Sequence, residues 1–315
     1  MADRPRIVFM GTPDFAVPSL AACAELGEVV LVVTQPDKPK GRGRQLNAPP
    51  VKSWALAHGL PVAQPEKLKA GRFHETLAPL APEVAVVAAY GKILPPELLA
   101  VPARGCVNVH GSLLPKYRGA APIQWAIANG DPETGVCLMR MEAGLDTGPV
   151  IACRRVPIGP EDTGGSMHDT LAEVGADLLR AELPAYLAGE RTPVPQDDAQ
   201  ATLAPMLSKE HGRIDFRLPA RLVEARLRGF TPWPGAFTTL DGKLLKLFRA
   251  RVGPGGAEPD GYEPGEVLAA GPEGLEVACG EGSITLLEVQ PEGGRRMSAG
   301  QFLAGHRLAA GAQLG

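Results

Sequence analysis

The sequence predicts an α/β protein: a doubly wound, mostly parallel sheet followed by a smaller C-terminal β-barrel. Short aliphatic runs alternate with helix-sized stretches over the first 189 residues, the signature of βα units that build a parallel sheet with helices on its faces. Residues 190–206 (ERTPVPQDDAQATLAPM) carry three prolines and no apolar period, which reads as a linker. Beyond them, five short apolar runs separated by turn residues fit a small closed or partly open barrel. The expected organisation is therefore a first domain over 1–189, a linker over 190–206 and a second domain over 207–315.

The elements follow in order. Residues 6–11 (RIVFMG) form a short buried strand, and Thr12-Pro-Asp14 leads into a helix over 15–26 that Gly27 ends. Strands over 29–34, 61–63, 83–89 and 105–110 alternate with helix-sized stretches. Two more, over 136–141 and 150–156, precede a helix capped near Asp162-Thr163 that runs towards Gly189, with Pro184 the point at which it can break. In the second domain a helix over 219–229 precedes strands over 236–240, 243–252, 266–269, 275–279 and 283–289. No internal repeat is present.

Composition bounds the function. With 32 Lys+Arg against 35 Asp+Glu the formal charge is -3, which excludes a chain that is basic throughout. At 44% hydrophobic and 21% charged residues, the chain can bury a core. Only four apolar residues, 7–10, follow the first charges, fewer than the roughly 7–15 of a signal-peptide core. The longest aliphatic-rich stretch, 84–90, is far short of the roughly 18 residues of a membrane span, so a cytoplasmic protein is expected. Five cysteines, at 23, 106, 137, 153 and 279, are odd in number and never spaced as Cys-x-x-Cys, so reduced buried thiols are expected, with no zinc site and no disulfide. Five histidines, His58, His74, His168, His211 and His306, lack paired metal-ligand spacing. Trp233, between two prolines, is expected to anchor the helix on the barrel.

Charge is unevenly distributed. Residues 209–251 hold ten Lys+Arg against four Asp+Glu, whereas 252–294 hold nine acidic residues and no Lys or Arg. On a helix, Arg217, Arg221 and Arg228 would share one face, a candidate track for an RNA backbone or else an ordinary solvated face. Lys38, Lys40, Arg42, Arg44 and Lys52 stand against Asp37 alone, with Gly41 and Gly43 between them. That reads as a flexible cationic loop, for which a plain solvated loop is the alternative.

The chemistry concentrates after the strand over 105–110. In Val107-Asn-Val-His110 the period of two puts Asn108 and His110 on one face, and Gly111-Ser-Leu-Leu-Pro115 turns the chain at the strand's C-terminal end, where open α/β sheets bind ligands. Asp146, in Glu142-Ala-Gly-Leu-Asp-Thr-Gly148, is the natural carboxylate to orient the histidine. An amide donor, an imidazole and a carboxylate suit attack by a substrate's own amine on an acyl carbon: the amide meets the developing oxyanion, the imidazole handles protons and the carboxylate fixes the ring. The alternative is a capped core histidine and a loop aspartate. Gly11-Thr-Pro-Asp14 follows the first strand but lacks Gly-x-Gly-x-x-Gly, which disfavours a nicotinamide dehydrogenase.

The residues together resemble the methionyl-tRNA formyltransferase family. The resemblance runs through Phe9-Met-Gly-Thr-Pro-Asp-Phe-Ala16, Thr34-Gln-Pro-Asp-Lys38, Asn108-Val-His-Gly-Ser-Leu-Leu-Pro115, Tyr117-Arg-Gly-Ala-Ala-Pro-Ile-Gln124 and Gly144-Leu-Asp-Thr-Gly148, then Ser208-Lys-Glu210, Gly212-Arg-Ile-Asp215 and Pro232-Trp-Pro-Gly235. It implies a Rossmann-like formyltransferase domain, an OB-like tRNA-binding barrel, and transfer of a formyl group from 10-formyltetrahydrofolate to initiator methionyl-tRNA. Asn108, His110 and Asp146 match the family's catalytic positions, and Ser112, Leu113, Leu114 and Pro115 its folate-binding motif. Arg42 matches the arginine of a loop that meets the acceptor stem. Lys38, Lys40, Arg44, Arg217 and Arg221 complete the expected tRNA contacts. The expected partners are the tRNA and the folate donor, with no metal and no membrane, the chain acting as a monomer. The rival within the family is a formyltransferase or formyl hydrolase for another acceptor; outside it, a non-catalytic RNA-binding module would leave Asn108, His110 and Asp146 idle.

Overall fold

The computed structural model describes residues 4–40, 45–68, 72–253, 261–306 and 308–315. The chain forms two compact units, one from Met1–Gly119, Thr134–Pro157 and His168–Leu203, the other from Ala120–Glu133, Ile158–Met167 and Ala204–Gly315.

In the first unit, β1 (Arg6–Gly11) passes through a single 3-10 turn into α1 (Val17–Leu26) and returns as β2 (Glu28–Val33). Then come β3 (Lys38–Lys40) and β4 (Gln45–Asn47), α2 (Pro50–Ala57), β5 (Val62–Ala63), α3 (Arg72–Leu77), β6 (Val84–Ala88), α4 (Pro96–Leu99), β7 (Cys106–His110) and β8 (Arg118–Gly119). The second unit's α5 (Pro122–Ala128) intervenes before β9 (Glu133–Arg140), β10 (Val150–Pro157), α6 (Gly164–Leu187) and β11 (Leu203–Ala204). Seven strands form one sheet in the order β10-β9-β7-β6-β1-β2-β5. β2, β1, β6 and β7 run parallel, and β9 is antiparallel to β7. β1 is apolar on both faces because it lies in the middle: Ile7, Val8, Phe9 and Met10 are at most 1% exposed. Strand order reverses between β1 and β6, so ligands are expected beyond the carboxyl ends of these strands, where β7 also ends. Gly11 lets the chain turn there: a Cβ would lie 2.7 Å from that of Ala16 and 2.9 Å from the Ala88 carbonyl oxygen.

Three expectations need correction in this unit. Cys137 on β9 and Cys153 on β10 are joined by a disulfide, their Cα atoms 4.1 Å apart. They stand 16 positions apart in sequence, and only the pairing of β9 with β10 brings them together. The other three cysteines are buried free thiols, and burial pushes Cys106 and Cys279 up to about 12. Second, α6 continues through Pro184, which sits near its last turn, where few later residues depend on a lost backbone bond. Third, residues 190–203 are engaged along the first unit: Val194 pairs with Val150, Asp198–Gln200 form a 3-10 turn, and β11 pairs with β8. Among the described residues no helix is long and apolar enough to cross a membrane.

The second unit centres on an antiparallel sheet of β12 (Ala236–Leu240), β13 (Lys243–Val252), β14 (Val267–Gly271), β15 (Gly274–Ala278) and β16 (Ser283–Pro291), in the order β12-β13-β16-β15-β14, with β17 (Met297–Ser298) on β16. Leu314 bridges Leu240 beside one edge strand and Gln313 bridges Glu266 beside the other, so the last residues draw the edges together. α7 (Ala220–Gly229) and α8 (Ala299–Gly305) supply Val223, Leu227 and Phe302 to a core with Leu247, Val277 and Ile284. α5 crosses α7 closely at Gly229, where a Cβ would stand 2.7 Å from the Ala128 nitrogen. Trp233 is 53% exposed and therefore not the buried anchor its flanking prolines suggest; Trp125 fills that kind of role, packing edge-on to Phe230 and donating to the Pro205 carbonyl.

Candidate active site

β7 delivers the first two groups as its alternation predicts. Val109 packs against α6 beside Gly175, which leaves Asn108 and His110 on the opposite face. The loop from β9 to β10 brings Asp146 to them. Its Oδ1 accepts a long 3.4 Å bond from Asn108 Nδ2, and its Oδ2 lies 3.7 Å from His110 Nδ1, an ion-pair distance rather than a hydrogen bond. Both side chains are shielded, His110 at 6% and Asp146 at 15% exposure.

The ring of His110 is instead fixed by the backbone. Nε2 lies 2.9 Å from the Tyr117 carbonyl oxygen. A carbonyl only accepts, so Nε2 carries the ring proton and Nδ1, which faces Asp146, is the atom that takes up a second one. Asp146 Oδ2 is held by the backbone N–H of Gly119, which donates at 2.9 Å. Tyr117 and Gly119 thus position the imidazole and the carboxylate from two ends of one tripeptide. Both Tyr117 and Asp146 adopt left-handed backbone, with φ of 62° and 52°. For residues other than glycine this costs about 1–3 kcal/mol each and persists only where the surroundings enforce it.

Ser112, Leu113, Leu114 and Pro115, the residues expected to bind folate, form the turn that follows β7. Ser112 is fully buried and donates to the Lys116 carbonyl at 2.6 Å, so its hydroxyl shapes the turn. Leu113 reaches across to β9 at Gly135, while Leu114 and Pro115 remain half-exposed. Asn108 is half-buried and, among the described residues, its amide makes only the long bond to Asp146, leaving it free to turn an N–H towards a carbonyl oxygen. No cluster of ligands suited to a metal ion occurs among the described residues.

The expected cationic contacts sort differently. Lys38 is exposed at the start of β3, and Lys40 lies on the same strand, so a β3–β4 ladder frames part of what reads as a loop. Arg42 and Arg44 lie outside the described residues. Lys52 is not a free cation: it donates to Asp37 at 2.7 Å and to Gln64 at 2.8 Å, and with Gln64 it holds the Asp37 carboxyl below the usual range. Arg217, Arg221 and Arg228 do not share a helical face. Pro219 disfavours helix at Leu218, α7 begins at Ala220, and Arg217 sits ahead of it, exposed and forked onto Asp215. Arg228 is paired with Glu224 at 2.6 Å and donates to the Asp162 carbonyl at 2.8 Å. Arg221 is exposed on α7.

Sequence reasoning missed the Tyr117 carbonyl, the Gly119 N–H, and Arg118 with Gln196 behind them. A main-chain group leaves no residue-type signal, and Gln196 lies in a proline-rich stretch without period.

Comparison with known proteins matches a formyl transferase family model to residues 5–183 and a formyl transferase C-terminal domain to residues 206–307. The chain is 62% identical over 310 residues to a methionyl-tRNA formyltransferase of Myxococcus xanthus, covering 98% of both chains. It is 50% identical to that of Citrifermentans bemidjiense, covering 98% of this chain and 96% of the relative. Among solved structures it is similar in fold to an N-formyltransferase from Helicobacter canadensis in complex with folinic acid and dTDP-3-aminofucose, with a TM-score of 0.68, 16% identity, and coverage of 90% and 99%. A methionyl-tRNA formyltransferase from Clostridium thermocellum aligns with a TM-score of 0.53, 18% identity, and coverage of 80% and 95%.

Proposed function

The chain belongs to the methionyl-tRNA formyltransferase family, and from that premise we propose that it acts in the cytoplasm, moving the formyl group of 10-formyltetrahydrofolate to the amino group of initiator methionyl-tRNA at Asn108, His110 and Asp146. The observation that carries the residue assignment is the convergence of these three side chains at the C-terminal end of β7.

The folate donor supplies an activated formyl carbon when bound. Asn108 turns its amide N–H to the formyl oxygen and stabilises the charge that develops there as the methionyl nitrogen attacks. His110, held at Nε2 by Tyr117, takes the proton of the attacking amine at Nδ1. Asp146 lies against that proton and balances its charge. A bond forms between the methionyl nitrogen and the formyl carbon, the bond from that carbon to the folate nitrogen breaks, and the proton follows to the departing nitrogen. No enzyme nucleophile is needed.

The turn over Ser112, Leu113, Leu114 and Pro115 lines the pterin pocket, with Ser112 acting through the shape of the turn. Lys38, Lys40, Arg42 and Arg44 meet the acceptor stem, and Arg217 and Arg221 track the backbone phosphates. The test is direct: incubation with 10-formyltetrahydrofolate and charged initiator tRNA should yield formylmethionyl-tRNA, and excess small amine should not compete. Absence of formylmethionine, or efficient competition by a small phosphorylated or sugar amine, would favour the rival acceptor.

A further inference from the structure

We infer that Gln196, seated by Arg118, is a positioning residue for the Asp146 carboxylate. This rests on the reading that Asp146 serves the reacting amine. Gln196 Nε2 donates to the carbonyl oxygens of Asp146 at 2.8 Å and Gly148 at 2.7 Å, clamping the loop on either side of Thr147. Its Oε1 accepts from Arg118 Nε at 3.1 Å and Nη2 at 2.8 Å. The chemistry leaves one orientation: a guanidinium only donates and so faces Oε1, and carbonyls only accept and so face Nε2.

The clamp is itself anchored. Arg118 is 7% exposed, and a charge so far from water needs bonded partners to remain there. Its partners are Gln196 and, at 2.7 Å, Asp198. Arg118 also stands between Tyr117, whose carbonyl holds His110, and Gly119, whose N–H holds Asp146 Oδ2. One tripeptide therefore fixes the imidazole directly, the carboxylate directly, and the carboxylate's backbone through Gln196. The left-handed backbone at Asp146 is the conformation this clamp enforces, and the carboxylate's direction towards His110 depends on it.

The experiment uses the full chain, with steady-state formylation of charged initiator tRNA by 10-formyltetrahydrofolate. Gln196→Glu keeps an acceptor for Arg118 but loses both donors to the Asp146 loop, and Gln196→Ala loses both sides. Each should lower kcat by about 10–100-fold, as misplacement of a reacting group by an ångström does, with KM for both substrates within about 2-fold and an unchanged melting temperature for Gln196→Glu. In an Asp146→Asn background, Gln196→Ala should lower kcat by no more than about 2-fold, because the group it positions is already disabled. Wild-type kcat in both Gln196 variants overturns the inference and leaves the role of Asp146 standing. An equal loss in both backgrounds, or a loss confined to KM, overturns it in favour of a purely structural role. Wild-type turnover by Asp146→Asn alone overturns the catalytic reading itself.

Discussion

His110 donates its Nε2 proton to the Tyr117 carbonyl at 2.9 Å, leaving Nδ1 turned towards Asp146. The proton-accepting atom is thereby chosen by a backbone oxygen seven residues downstream. His110→Ala should lower kcat by about 10²–10⁴-fold with tRNA affinity within about 2-fold, measured by single-turnover formylation beside filter binding. Asn108→Ala should lower kcat by about 10²–10³-fold in the same assays, since the developing oxyanion loses its donor and Asp146 Oδ1 loses only a long bond.

Asp146→Asn preserves shape and the acceptor for the Gly119 N–H but removes the charge opposite Nδ1. The expected outcome is a fall in kcat of about 10²-fold or more without a matching rise in KM. An unaltered kcat would falsify the pairing of charge with the proton taken up by His110.

Arg221 and Arg228, both on α7, should separate binding from stability. Arg221→Glu should weaken all tRNAs alike and reduce the slope of log affinity against log salt by about 1 or more. Arg228→Ala should leave that slope unchanged and cost about 1–3 kcal/mol of stability, because its bonds go to Glu224 and the Asp162 carbonyl. Chemical denaturation and a salt series on both variants check the pair.

The Lys52–Asp37 bridge gives an acid-dependent signature. Lys52 holds the Asp37 carboxyl below its ordinary value, so the stabilisation is present above the unfolded value of about 3.9 and fades as pH falls through the folded one. Lys52→Met should melt at a lower temperature than the parent at pH 7, and the gap should close as the medium is acidified below about pH 4. A gap independent of pH would show that lost packing, not lost charge, is responsible.

Much of the fold was legible because its signals are local. The run at residues 6–11 is apolar on both faces and proved to be the central β1, and the period of two in Val107-Asn-Val-His110 correctly put an amide and an imidazole on one face. What escaped notice depends on contacts between distant segments. Cys137 and Cys153 meet only through strand pairing, Pro219 moved Arg217 off the helix, and the Tyr117 carbonyl has no side-chain identity to read. Pro193, Pro195 and Pro205 signalled a lack of regular structure around Gln196, and that is true of its backbone but silent about its bonds.

The return of residues 190–203 to the first unit bears on how the protein can be taken apart. A fragment ending at residue 189 would keep the central strands and all three reacting side chains, yet it would lack Gln196, Asp198 and Thr202, the last of which accepts from the Tyr117 N–H. The strap over 190–203 therefore goes with the sheet, and 120–133 and 158–167 go with the second unit: a chimera that exchanges only the residues after Leu203 splits that unit, and one that also gives up the strap has its active site arrive assembled but untuned.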